Sequence, residues 1–206
     1  VEKIATNIQA AFVRLNDSIN GYLPLNQCEH AIFADSHREG QPLRPGDQIL
    51  VQINRDAMKG KLPALTANLN FSGKFLVLTT GNRKIGISNK LSKEESSKLS
   101  KWLDDERNIP DRGYGLIART NAADASKEEF FHELDMLKKQ YEKVAVYGRN
   151  RTCFSLLYES EPFYLSAVRD IYGKDLDEIV TDISEMHTKI SDYLNEFQPE
   201  KLEILN

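Results

Sequence analysis

Basic side chains are concentrated in one stretch of the sequence. Residues 44–90 carry eight Lys or Arg against two acidic residues, a local excess of +6, although the whole chain of 206 residues has a formal net charge of −4. A segregated excess of this kind is typical of a phosphate-binding face on an otherwise acidic protein. Solvated charge on exposed strands and loops gives a similar count, so both interpretations stay open at this point.

Other kinds of site chemistry find little support. Cys28 and Cys153 have no CxxC partner, so neither a disulfide framework nor a structural zinc site is expected. The sequence contains no GxxxxGK or GxGxxG loop, which argues against nucleotide hydrolysis and dinucleotide binding. The four histidines show no metal-ligand spacing: His30, His37, His132 and His187.

A carboxylate cluster near the end of the chain is the remaining candidate metal site. Its members are Asp170, Asp175, Asp177 and Asp182. Clustered carboxylates are more often a solvated face, so we predict no metal site here. A small-molecule enzyme would also need convergent acid-base or nucleophilic groups, and no such set occurs in the sequence.

Short strands must position the basic stretch. Runs of β-forming residues separated by turn residues predict strands at 8–15, 20–25, 47–54 and 63–69. Several short strands of this kind indicate a small barrel. From about Phe71, further strand patterns alternate with helices, at 74–80, 83–88 and 115–120.

Two helices are marked by their first residues. Ser92 with Glu95, and Ser126 with Glu129, have the spacing of capping boxes. The second is followed by an apolar stripe at helical spacing: Phe130, Leu134, Leu137, Tyr141 and Val144. Such a stripe usually faces the core and only weakly suggests a partner helix.

The last fifty residues have an α/β pattern. Strands are predicted at 155–160, 177–182 and 201–205, with helices at 163–172 and 186–197. Three short strands make a sheet too small to close a core, so we expect this segment to need a partner from outside the chain. The sequence has no run of about 18 apolar residues and no signal-peptide pattern at its start, which predicts a cytoplasmic protein without a membrane segment.

Several strings of residues occur in the order and approximate spacing of one protein family. They are NIQAAFV, NGYLPL, GDQILVQI, KGKLPALTANLNFSGKFLVL, GISNKL, GLIART, LLYESE, AVRDIYGKDLDEIVTD and KLEIL. Over essentially its whole length, the chain resembles the ribonuclease E/G family. The resemblance implies an α+β protein with three parts: an S-one-type OB-fold β-barrel at 1–70, a mixed α/β 5′-sensor region at 71–163 and half of a ribonuclease-H-like α/β subdomain at 164–206.

The resemblance implies single-stranded RNA as the partner of the barrel. Phe12 and Tyr22 match the family's aromatic RNA-binding positions, and Lys61 matches a basic position beside the same face. OB folds stack bases on aromatic rings and hold the backbone with cations. Without the resemblance, Phe12 would be assigned to the core of an apolar strand and Lys61 to the solvated surface.

The resemblance also implies a 5′-monophosphate site. Arg119 and Thr120, adjacent in GLIART, would grip the phosphate with a guanidinium fork and a hydroxyl. Gly73 and Val77 would form the pocket and its floor; the glycine would let backbone approach the ligand, or would simply be a turn residue. Where the family commonly has two arginines after GIS, this chain has Asn89 and Lys90. Lysine keeps the charge and loses the planar fork, so we expect phosphate recognition to be retained but weaker.

Cleavage is expected elsewhere. The family's magnesium ion and its two aspartates lie beyond the final strand seen here, so this chain alone is predicted to be inactive and to hold no cofactor, with magnesium expected in the full-length enzyme. The family's zinc link between protomers also lies downstream, so homo-oligomer formation is an expectation for the full-length protein. An alternative is a non-catalytic RNA-binding module that tethers RNA or docks partners.

Overall fold

A computed structural model describes residues 1–170 and 176–206 and divides the chain into two compact units, 1–158 and 159–206. The predicted α+β class is confirmed, since the described part of the chain contains two mixed β-sheets and α-helices. The predicted domain boundaries after residues 70 and 163 stay a prediction. Asp175 and the side chain of Asp170 lie outside the described residues.

The first sheet has five short strands: β1 (Lys3–Ala5), β2 (Ala10–Arg14), β3 (Asn20–Pro24), β4 (Gln52–Arg55) and β5 (Ala64–Thr66). Their order is β1-β2-β3-β5-β4, with β3 and β5 parallel and the other neighbours antiparallel. No ladder of described residues closes this sheet into a barrel. The start of the chain nevertheless lies beside the segment before β4, because the Gly46 N–H donates to the Val1 carbonyl at 2.8 Å.

The second sheet has four strands: β6 (Asn70–Ser72), β7 (Leu76–Thr79), β8 (Ile85–Ile87) and β9 (Gly115–Ala118). Their order is β6-β7-β9-β8, with β8 and β9 parallel. One face carries the largest core of the chain, including the fully buried Leu76, Leu78 and Leu116. The other face is more exposed, with Ser72, Val77, Ile117 and Gly86 in successive register positions.

Three helices complete the first unit: α1 (Lys93–Trp102), α2 (Asp104–Arg107) and α3 (Lys127–Asn150). Both predicted capping boxes are confirmed, with reciprocal hydrogen bonds between Ser92 and Glu95 and between Ser126 and Glu129. The apolar stripe of α3 lies in the core beneath the second sheet, as its spacing predicts.

The last segment of the chain, from residue 155, is less sheet-like than its sequence predicts. Its helices are present as α4 (Phe163–Asp170) and α5 (Ser184–Phe197). The three predicted strands are wrong: residues 155–160 have no regular structure, 177–182 contribute one parallel bridge between Ile179 and Leu205, and a 3-10 helix spans Pro199–Ile204. A single bridge is not a strand ladder, so the described residues of the second unit have no sheet on which to build a core. The core of this unit is formed mainly by the two α-helices and the 3-10 helix.

Candidate nucleic-acid interface

Two aromatic rings lie side by side on the first sheet. Phe12 on β2 and Tyr22 on β3 are register partners, and their ring centroids are 6.3 Å apart at an interplanar angle of 72°. Their chain neighbours Ala11, Val13 and Leu23 are buried in the core. Because successive side chains of a strand point to opposite faces, the two rings lie on the solvent-facing side, where both are half-buried.

The two rings belong to a row of register partners that crosses the sheet from strand to strand. A cationic side chain lies at each end of this row. Lys3 is the register partner of Phe12, and Ala64 is the partner of Tyr22. Across a β-bulge, Arg55 is the partner of Ala64. Lys3 and Arg55 are exposed, and Ala64 places only a methyl group between Tyr22 and Arg55 in this row. The sheet therefore presents two aromatic rings between two cations.

Lys61 projects from the turn between β4 and β5. This turn is closed by a hydrogen bond from the Lys61 N–H to the Met58 carbonyl at 2.6 Å, and Gly60 adopts φ 72° within it. Two residues further on, the Pro63 carbonyl accepts the Tyr22 N–H at 2.9 Å. The turn that carries the exposed Lys61 is thus anchored to the strand that carries Tyr22.

A second group of predicted residues meets at one end of the second sheet. The Arg119 guanidinium donates to the Gly73 carbonyl at 2.7 Å, and the Arg119 N–H donates to the Phe75 carbonyl at 2.7 Å. Val77 lies half-buried on the exposed face of the same sheet, opposite Ile117. Gly73, Val77 and Arg119 are therefore brought together, although Arg119 is 46 residues from Gly73.

The parallel pairing of β8 and β9 brings a third element to this end. The hydroxyls of Ser88 and Thr120 lie 3.1 Å apart, and the Lys90 N–H donates to the Ser88 hydroxyl at 3.3 Å. The side chains of Asn89 and Lys90 are exposed. Thr120 and the loop that carries Lys90 are therefore neighbours.

Sequence reasoning missed Glu133, which binds the turn that also accepts hydrogen bonds from Arg119. Its carboxylate accepts the N–H groups of Lys74 at 2.8 Å, Phe75 at 2.8 Å and Leu76 at 2.7 Å. A Cβ added at Gly73 would lie 2.3 Å from a carboxylate oxygen of Glu133. The absent side chain of Gly73 thus makes room for Glu133, and these three N–H groups already hold an acceptor. The sequence does hold one signal for this role, since Glu133 is an acidic residue three positions after Phe130 on the apolar face of α3.

Metal ligands do not converge in the described residues. Among residues 1–170 and 176–206, no group of three or more His, Cys, Asp or Glu side chains could hold a metal ion. Asp177 and Asp182 are both exposed. No helix in this described part is long and apolar enough to cross a membrane.

Comparison with known proteins gives consistent matches. The model of the Ribonuclease E/G family matches residues 70–206. The Ribonuclease E of Haemophilus influenzae is 28% identical over 207 residues, which cover 97% of this chain and 22% of that protein. The Ribonuclease E of Escherichia coli K12 is 29% identical (88% and 18% covered), and a Ribonuclease E/G-like protein of Pyropia yezoensis is 30% identical (88% and 36% covered). The chain therefore spans less than two fifths of each of these relatives.

Proposed function

Because the chain belongs to the ribonuclease E/G family, we propose that it binds single-stranded RNA and holds the RNA's 5′-monophosphate end, on behalf of an endoribonuclease of RNA processing and decay. RNA contact is assigned to the first sheet and 5′-end contact to the second.

The pairing of Phe12 with Tyr22 on the open face of the first sheet carries the RNA-binding part of the proposal. OB folds bind oligonucleotides with strands 2 and 3 and with loops that include the one between strands 4 and 5. Phe12, Tyr22 and Lys61 occupy those three places. The five-stranded sheet of mixed pairing supports assigning residues 1–70 to a partly open OB fold. A base stacked on an aromatic ring contributes about 1–3 kcal/mol whatever its identity, which suits binding to many RNA sequences.

The 5′-end part rests on Arg119 and Thr120, which follow β9, and on the loop of Lys90 beside Thr120. A guanidinium, a hydroxyl and an ammonium group are donors suited to a monophosphate. Glu133 accepts the N–H groups of residues 74–76. We therefore assign phosphate binding to the side chains of Arg119, Thr120 and Lys90, and the floor of the pocket to Val77. Asn89 brings no charge to this place, so the expected preference for a 5′-monophosphate is modest.

Cleavage belongs to the whole protein in this proposal. The chain spans only part of the length of its relatives, so we assign magnesium-dependent hydrolysis to other parts of a longer protein and derive no catalytic step from this chain. The helical second unit is assigned to part of a ribonuclease-H-like subdomain. We further propose a cytoplasmic location and assign any homo-oligomer formation to the longer protein.

Fluorescence anisotropy with matched oligonucleotides tests the proposal. RNAs of one sequence, with either a 5′-monophosphate or a 5′-hydroxyl, are titrated at two salt concentrations. We expect affinity to fall with salt and the 5′-phosphorylated RNA to bind more tightly. Phe12→Ala with Tyr22→Ala should weaken binding of every sequence, whereas Tyr147→Ala, which removes an exposed ring from α3, should not. Equal affinity for the two ends would refute the sensor, and an unchanged double variant would refute the stacking surface.

A further inference from the structure

The turn at residues 73–76 is organised around one carboxylate. Glu133 lies on α3, 57 residues from Leu76, yet accepts three successive N–H groups of the turn at 2.7–2.8 Å. Phe75 and Leu76 are buried, so these N–H groups have little access to water. Successive N–H groups aimed at one point form an anion-binding nest, and here the anion is supplied by the chain itself.

The same turn holds Arg119 at two points. The Gly73 carbonyl accepts from the guanidinium, and the Phe75 carbonyl accepts from the Arg119 N–H, both at 2.7 Å. If the carboxylate is removed, three N–H groups lose their acceptor and the turn loses contacts that help to fix both carbonyls. The orientation of the Arg119 guanidinium is then less constrained.

The fit between turn and carboxylate is tight from both sides. An added Cβ on Gly73 would meet Glu133 Oε1 at 2.3 Å, Cδ at 2.4 Å and Oε2 at 2.8 Å. Contacts under 3.0 Å essentially never occur at real Cβ atoms. Glu133 and Gly73 therefore act as a matched pair, one filling the space that the other leaves.

From these contacts we infer that Glu133 is the positioning residue of the 5′-end site: by holding the Lys74–Leu76 N–H groups, it aims the Arg119 guanidinium at the terminal phosphate. The inference rests on the proposed function. Glu133 does not touch the RNA in this arrangement, and it acts through the turn and Arg119.

The test is the ratio of affinities for 5′-monophosphate and 5′-hydroxyl RNA, measured with the full 206-residue chain. Glu133→Gln keeps one oxygen for Phe75 and Leu76 but turns an NH₂ group toward the Lys74 N–H. We expect the ratio to fall to about one, which is a loss of the whole preference for the 5′-monophosphate. Affinity for 5′-hydroxyl RNA should stay unchanged, because the first sheet is not altered. Asp135→Asn removes the same charge from an exposed position of α3 and should leave the ratio unchanged.

Two results would overturn the inference. A ratio maintained by Glu133→Gln would show that the turn does not aim Arg119. A raised ratio would show that the carboxylate competes with phosphate for the same N–H groups. Gly73→Ala displaces the carboxylate without removing it, so it should also lower the ratio and provides the measurement if Glu133→Gln does not fold; an unchanged ratio there also contradicts the inference. Equal binding of both ends by the unmodified chain would instead refute the proposed function.

Discussion

The pairing of Gly73 with Glu133 predicts a change of sign in a double-mutant cycle. In Gly73→Ala, the new methyl group would lie 2.3 Å from the carboxylate, which must retreat by at least about 0.7 Å to reach 3.0 Å. Hydrogen bonds of 2.7–2.8 Å lengthened by that amount reach about 3.5 Å and are largely lost. Since a hydrogen bond to a charged group contributes about 1.5–3 kcal/mol, losing one or two should lower the free energy of unfolding by about 3 kcal/mol.

In the Glu133→Ala background, the same glycine substitution should behave differently. The collision is gone, and Gly73 is not among the glycines with positive φ, so alanine fits its backbone. Replacing glycine at such a position stabilises a protein by about 0.4–1 kcal/mol, because the unfolded chain has fewer conformations to lose. Gly73→Ala should therefore be destabilising in the unmodified chain and mildly stabilising in Glu133→Ala, a coupling of about 3–4 kcal/mol.

The chain provides a built-in probe for this measurement. Trp102 is its single tryptophan and lies on α1 with its ring centroid 5.2 Å from that of Phe130, one turn before Glu133 on α3. Urea unfolding followed by Trp102 fluorescence therefore reports on the unit that contains the turn. An equal cost of Gly73→Ala in both backgrounds would refute the reasoning, because the glycine would then be required by something other than the carboxylate.

Three further predictions concern the first unit. Arg38 lowers the pKa of the Asp47 carboxyl by a hydrogen bond of 2.9 Å, so this stabilisation is present above pH 4 and is lost as pH falls through the lowered pKa. Arg38→Met should lower the free energy of unfolding measured with urea at pH 7, and should lower it much less at a pH below the lowered pKa of Asp47; a cost independent of pH would contradict this. Burial raises the pKa of the Cys28 thiol to about 11, so at pH 8 it should react with a disulfide reagent about 100-fold more slowly than a thiol of ordinary pKa, while the exposed Cys153 reacts first; equal rates would contradict this. Lys61→Ala should weaken binding of all single-stranded RNAs and reduce the salt slope of log K by about 0.7, and an unchanged slope would remove Lys61 from the interface.

Local signals in the sequence predicted the helices well. The capping boxes at Ser92 and Ser126 are built from residues three apart, so their hydrogen bonds need no distant partner. The apolar stripe of α3 likewise depends only on helical spacing, and it lies in the core as predicted.

Strands were predicted less completely because their stability depends on distant partners. β1 and β6 are three residues long and were missed, while 155–160 and 201–205 have strand-like composition but no ladder to join. The candidate site was likewise predicted only in part. Its residues could be chosen from family strings, but the contact between Glu133 and the turn at Gly73 spans about 60 residues and has no local signature.

The two sheets suggest how recognition could be divided within the proposed function. Stacking on Phe12 and Tyr22 accepts any base, so the first sheet can supply affinity but little choice among RNAs. A terminal phosphate occurs once per molecule, so a site around Arg119 selects by position on the RNA rather than by sequence. Such a site needs a guanidinium with a fixed direction, because a mobile one would pair with internal phosphates as readily as with the end. In the proposed site, the turn at residues 73–76 and the Glu133 carboxylate fix that direction, and for this reason the loss of Glu133 should erase end preference before it erases RNA binding.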